Sequence, residues 1–298
     1  MTQPVDDREE ALRRAEERFL RRRGLPETRR GDAPPWNAAF FRVERVARFR
    51  NANAGARRAV LEACAAGLLA ESWFIERCGV TFCAKMTLLS QSLEEQRAYA
   101  LIGADEATHS AWLEPWIADR DGEADPFNRF IVGLVEAGSA QPLAFLLQVV
   151  LEGFGIVHYT DLAAACLDAP LAATLRRMAR DEAMHHAVGL AAFRSERLSV
   201  PERRFLAEGA HAFLEMIRNG PQAVVAALDR VIGEGDQADA THVFEDLGAE
   251  AASAAKLAQL RRLMAQPGMD WLIDEFERKG VFAPCTAAEC ARVYAGAR

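Results

Sequence analysis

Two five-residue runs in this chain repeat one another at a fixed distance. Asp105-Glu106-Ala107-Thr108-His109 returns as Asp181-Glu182-Ala183-Met184-His185, an offset of 76 residues. A lone glutamate stands 30 residues before the Glu of each run, and these two, Glu76 and Glu152, are again 76 apart. On a helix, Glu and His at i and i+3 share one face, a turn apart. Each half therefore offers a Glu-x-x-His pair and one further carboxylate, and the two halves together offer four carboxylates and two imidazoles. Hard oxygen donors with a single imidazole per ion suit iron or manganese better than zinc or copper. The candidate metal ligands are Glu76, Glu106, His109, Glu152, Glu182 and His185. Glu71, five residues before Glu76 and also in an apolar stretch, competes for the first place.

The surroundings decide between ligands and solvated charges. Trp73, Gly79, Val80 and Cys83 flank Glu76 along its face, and Tyr99, Ile102, Gly103 and Leu113 flank Glu106. Phe145, Val149, Gly155, Ile156 and Tyr159 surround Glu152, while Leu175, Met178, Ala179 and Gly189 surround Glu182. Four carboxylates facing an apolar core need compensating cations, because burying an unpaired charge is strongly unfavourable. One Glu-x-x-His run alone arises by chance on wet helix faces; a duplicated run with matched glutamates does not fit that reading.

Each motif Glu follows an Asp, and metal-bound imidazoles usually give their outer N–H to such a carboxylate. The expected pairing crosses the halves, Asp105 orienting His185 and Asp181 orienting His109. Tyr159, two turns beyond Glu152, is placed to hydrogen-bond a ligand, to supply an oxidisable phenol, or simply to pack. His158 and His186 adjoin the runs but face other directions by helical phase. Gly79 and Gly155, one turn after Glu76 and Glu152, leave either a cavity or a close helix contact.

The elements that must position these residues are helices. The chain is rich in Ala, Leu, Glu and Arg, with only 12 Pro and 20 Gly in 298 residues, which argues for an all-α fold. A charged N-terminal helix (7–23) and a linker holding Pro26, Gly31, Pro34 and Pro35 make up an extension over 1–54. A first long helix is expected from Asn53 or Gly55 to about Leu89. The second opens at the capping pattern Ser92-Leu93-Glu94-Glu95 and runs to about Ala118, before a break at 119–126. After a short helix, a third long helix runs from Pro142 to about Cys166. Asp168 then caps a fourth, with Pro170 in its first turn, ending near Leu198. Ser92 and Asp168 are also 76 apart. The turn at 167–169 lies about 15 residues from both Glu152 and Glu182, so at 1.5 Å per residue both carboxylates sit roughly 22 Å from it, side by side. Residues 55–198 thus form the bundle, and 199–298 form shorter helices that cover it or build a dimer contact.

Half the residues are hydrophobic, enough for one large core. A net charge of −7 and a pI near 5.5 argue against nucleic-acid binding; the first 31 residues, with nine Arg against seven acids, are only mildly basic. The six cysteines form no C-x-x-C pair and sit mostly among apolar neighbours, as reduced thiols do. No signal peptide and no membrane-spanning run is read, so the expected compartment is the cytoplasm.

With these residues in hand, the chain resembles the ferritin-like superfamily and, within it, the oxygen-activating di-iron carboxylate enzymes: monooxygenase hydroxylases, acyl-carrier-protein desaturases, ribonucleotide reductase small subunits and p-aminobenzoate N-oxygenase. The resemblance covers residues 55–198 and implies a ferritin-like four-helix bundle with two iron ions, manganese or a mixed pair being the alternative. It implies that Glu76, Glu106 and His109 hold one ion and Glu152, Glu182 and His185 the other. Glu106 and Glu182 would bridge, with Tyr159 beside them. The implied activity is a di-iron monooxygenase or oxidase that hydroxylates, N-oxygenates or desaturates a small organic substrate with O2. An external electron donor, ferredoxin or flavin reductase, would serve it, with no nucleic acid or membrane partner, in a homodimer. The alternative is a rubrerythrin- or ferritin-like peroxidase or ferroxidase without organic substrate. Three places depart from the subfamilies. The Thr that monooxygenases and desaturases carry after the third-helix Glu is here Gly155 or Ile156. The extra N-oxygenase His is Met178, and a radical tyrosine has only Tyr99 or Tyr159 as candidates.

Overall fold

A computed structural model describes residues 7–24, 31, 33–117 and 126–296, all helix and connecting turns; among them no strand occurs. The expected linker around Pro26 and most of the break at 119–126 lie outside the described residues. In chain order the helices are α1 (Asp7–Arg22), α2 (Ala38–Phe41), α3 (Ala47–Asn51), α4 (Ala54–Leu89), α5 (Leu93–Leu113), α6 (Pro126–Ala137) and α7 (Ala140–Leu143). A π-helical segment, Ala144–Glu152, continues α7 without a break into α8 (Gly153–Ala165). Then come α9 (Ala169–Ala192), α10 (Val200–Arg218), α11 (Gln222–Ile232), α12 (Gln237–Asp246), α13 (Ala249–Met264), α14 (Asp270–Arg278) and α15 (Ala287–Gly296).

Local chemistry fixes the ends that matter. Asn53 caps α4 by accepting from the Ala56 N–H, and Asp168 caps α9 by accepting from the Leu171 N–H at 3.0 Å. Ser92 caps α5 through the Glu95 N–H at 3.2 Å, while the Glu95 carboxylate reaches back to the N–H of Gln91 rather than of Ser92 itself. The α5 helix stops at Leu113, short of the expected Ala118. Pro115 lies just beyond and has no N–H to continue the helical bonding, so the chain tightens into a 3-10 turn at Glu114–Trp116. The α9 helix likewise ends at Ala192 rather than near Leu198.

The short turns after α4 and after α8 make two antiparallel hairpins, α4 with α5 and the π/α8 run with α9, and α5 packs on α9 to join them. One core runs through the end of these hairpins remote from residue 167, where Phe82, Tyr99, Phe145 and Val149 meet Leu206, Leu257 and Phe276 of the C-terminal helices. A second, at the opposite end, gathers Trp36, Trp73, Trp112, Leu162, Leu171 and Met178. A third joins residues 43–64 to helices α11, α12 and α15. The segment before α4 is therefore built into the molecule from Trp36 onward: that side chain is fully buried and its indole N–H donates to the Leu162 carbonyl at 2.9 Å.

Ala140–Ala165 has the length and composition to cross a membrane, although Gln148, Glu152 and His158 interrupt its apolar run. Slightly more than half of its apolar window is buried inside the molecule, as in the core helix of a folded domain.

Candidate metal centre

The two hairpins bring all six predicted side chains to one place. Glu76 comes from α4, Glu106 and His109 from α5, Glu152 from the last position of the π segment, and Glu182 and His185 from α9. Their ligand atoms form two overlapping groups. One is Glu76, Glu106, His109 and Glu182; the other is Glu106, Glu152, Glu182 and His185; within each, the atoms lie inside 4.8 Å of one another. Glu106 and Glu182 belong to both. The two imidazole rings stand 5.9 Å apart. All are buried except Glu152, whose side chain keeps 13% of its exposure and marks the more open side of the cluster.

The contacts run as a mirrored pair. His109 Nδ1 lies 2.9 Å from Glu76 Oε2 and 3.7 Å from Glu182 Oε1. His185 Nδ1 lies 3.0 Å from Glu106, 3.5 Å from Glu182 and 3.7 Å from Glu152. The outer nitrogens point to the aspartates of the opposite run: His109 Nε2 hydrogen-bonds Asp181 Oδ2 at 3.1 Å, and His185 Nε2 approaches Asp105 Oδ2 at 3.5 Å without hydrogen-bond alignment. The Tyr159 hydroxyl donates to Glu76 Oε1. Glu71 lies outside both groups and acts electrostatically on Lys256 of α13. His186 bonds the Gln148 carbonyl at 3.2 Å, and His158 stacks on Phe154, so neither joins the cluster.

Burial and mutual repulsion set the protonation of the site. Burial pushes the Glu106 carboxyl well above the usual range, and Glu76 and Glu152 push it further. Burial, then Glu182, does the same to Glu152. Burial also opposes ionisation of Glu76, but bonds from His109 and Tyr159 outweigh it and hold that carboxyl low. Burial works against charge on both imidazoles too. Asp181 and Glu76 nevertheless raise His109 well above its ordinary value, and Asp105 with Glu106 raises His185. Protons on the imidazoles thus partly offset the carboxylate charge of the ion-free site.

Do these residues fit a metal? Glu106 Oε1 and both ring nitrogens of His185 are buried without a hydrogen bond, although carboxylate oxygens lie close by. Buried polar atoms in that condition are rare in folded proteins and call for a partner the polypeptide does not supply. A divalent ion bound at about 2.0–2.2 Å has opposite ligand atoms no more than roughly 4.4 Å apart, a few tenths of an ångström inside the 4.8 Å bound on each group. Four carboxylates also match the charge of two divalent cations. The cluster can hold a metal ion.

Of the two glycines read as leaving either a cavity or a close helix contact, the structure gives one of each, and further supporting residues, Gln148, Arg23 and Arg177, carried no signal in the sequence. Gly79 makes room for a ligand, since a Cβ there would lie 2.5 Å from Glu106 Oε2 and its missing side chain is the space the carboxylate occupies. Gly155 differs, with open space around the same position. Gln148, fully buried on the π segment, accepts from the Tyr99 hydroxyl at 2.9 Å. Arg23 pairs with Asp105, and Arg177 lays its guanidinium over the Trp112 ring at 3.9 Å. These contacts join residues distant in sequence, and no spacing announces them.

Comparison with known proteins adds no family: no protein-family model matches this chain, no curated protein matches it, and no solved structure matches it.

Proposed function

We propose that this chain is a ferritin-like di-metal carboxylate protein that activates dioxygen and uses it to oxidise a small organic substrate. The observation that carries the reading is the sharing of Glu106 and Glu182 between two ligand groups, each completed by one further Glu and one His. Ferritin-like di-iron and di-manganese bundles take a Glu from each of two helices and Glu-x-x-His from each of the other two, and these four helices carry that set. In this reading Glu76, Glu106 and His109 hold one ion, Glu152, Glu182 and His185 hold the second, and Glu106 and Glu182 bridge. Iron is the favoured metal, since oxygen-rich sites with one imidazole per ion disfavour softer choices.

Bound iron would supply the electrons and the open positions for dioxygen. The chain's own residues do the rest. Asp181 holds the His109 ring with its Nδ1 turned inward, and Asp105 sits where it does the same for His185. Tyr159 keeps a hydroxyl proton on Glu76 Oε1, a position from which it restrains that carboxylate. Trp73, Trp112 and Met178 wall one end of the site against water, while the partly exposed Glu152 and the open space at Gly155 leave its other flank accessible to a small molecule. Electrons would come from a separate carrier, in a cytoplasmic homodimer.

The test is dioxygen consumption by the anaerobically iron-loaded protein, followed by its optical spectrum. Stoichiometric uptake with new visible absorption, lost in Glu152→Ala while the fold persists, supports the reading. An unchanged rate in Glu152→Ala contradicts it, and continued iron loading far beyond two per chain favours a storage or ferroxidase role instead.

A further inference from the structure

The wall between the cluster and solvent is thin on the face formed by α5 and α9. Asp181, hydrogen-bonded to His109, keeps about a third of its side-chain exposure, and so does Asp105, next to His185. Beside them a single indole, Trp112, separates the Arg177 guanidinium (3.9 Å) from the His109 ring (5.6 Å between centroids). Three arginines, Arg23, Arg177 and Arg180, gather around the two aspartates of this window although the chain as a whole is acidic. Arg180 is exposed, one turn before Met184; Arg23 pairs with Asp105, and Arg177 lies over Trp112 and donates to the Gly24 and Arg23 carbonyls. Two large apolar side chains stand uncovered on the same faces, Leu101 (63% exposed) one turn before Asp105 and Met184 (67%) one turn after Asp181. Exposed apolar groups rimmed by polar and charged residues mark protein contact sites.

We propose that this face is the docking site of an acidic protein that carries single electrons to the metal centre, seated on Leu101 and Met184 and held by Arg23, Arg177 and Arg180. The inference rests on the di-metal reading above. Each encounter oxidises the carrier by one electron and reduces one ferric ion to ferrous, so two encounters prepare the pair for dioxygen. Charge complementarity brings the carrier to the face that is thinnest over the imidazoles, and its grip weakens with salt.

The probe is a plant-type [2Fe–2S] ferredoxin, a small acidic one-electron carrier, used with the full chain. Binding is measured by calorimetry on both ion-free and iron-loaded protein, and reduction of the ferric centre by stopped flow with reduced ferredoxin and, separately, with dithionite. Wild-type binding should weaken as salt rises. Arg180→Glu, Met184→Glu and, on the other helix, Leu101→Glu should each weaken binding and slow ferredoxin-driven reduction about tenfold, leaving metal content and the dithionite rate unchanged. Arg262→Glu, at an exposed position of α13, should behave as wild type. Absent binding by the wild-type chain at low salt, or equal binding by all variants, overturns the proposal. A chain that takes up no iron defeats the di-metal reading instead, and metal analysis shows this before any carrier is added.

Discussion

At the scale of single residues, Glu106 shows how much one missing side chain can decide. Its carboxylate lies in the space that any larger residue at position 79 would fill. Gly79→Ala should therefore leave the fold intact, since the obstructed atoms belong to a flexible side-chain end, yet displace a ligand shared by both groups. Metal titration with circular dichroism checks this; the expected result is an unchanged helical spectrum with metal affinity reduced. Asp181→Ala removes the acceptor that fixes His109, and the expected loss is about 10–100-fold in affinity. An unaltered affinity in that variant would mean that packing alone orients the ring. The six ligand candidates and the crossed aspartates were legible because the repeat writes them twice at one offset. Gly79 was legible only as a choice between a cavity and a close contact; that Glu106 fills the space depends on which α5 side chain leans against α4, and that is a tertiary fact.

At the scale of elements, the four long helices were legible from caps and breaks. Asn53, Ser92 and Asp168 each satisfy a first-turn N–H that the helix cannot satisfy itself. The π segment was not legible. Its sequence, AFLLQVVLE, reads as an apolar helix of any kind, and the wider turn is identifiable only from the packing it makes. There Gly189 of α9 lets the Gln148 backbone approach closely, and Tyr99 and His186 bond Gln148 from two sides. Such segments often accompany functional sites, and this one ends on Glu152. Gln148→Leu should strand the Tyr99 hydroxyl in the core and cost about 1–3 kcal/mol, measured by denaturant unfolding; no loss would show that the buried amide is dispensable.

At the scale of the molecule, the cluster ties folding, metal and pH together. Metal binding needs inward-facing imidazole nitrogens free of protons, whereas the ion-free site raises the proton affinity of both His109 and His185 and of the Glu106 and Glu152 carboxyls. Ion uptake must therefore expel protons, and affinity should rise with pH and fall as the solution is acidified. Calorimetry in two buffers of different ionisation enthalpy reads the proton count; no release contradicts the assignment. A bound ion also stabilises by mass action, about 2.7 kcal/mol at a hundredfold excess over Kd, so chelation should lower Tm by several degrees. The C-terminal helices and the segment from Trp36 to Asn51, which carry no chemistry of their own, complete the cores around this centre. Their placement was not legible, because short amphipathic helices name no partner.

The most direct measurement is an anaerobic titration of the ion-free chain with ferrous iron, counted by metal analysis after removal of loosely held ions. Two ions per chain is the predicted result. No bound iron, or a single ion with Glu152 and His185 both dispensable to it, would contradict the shared-carboxylate pair on which the reading stands.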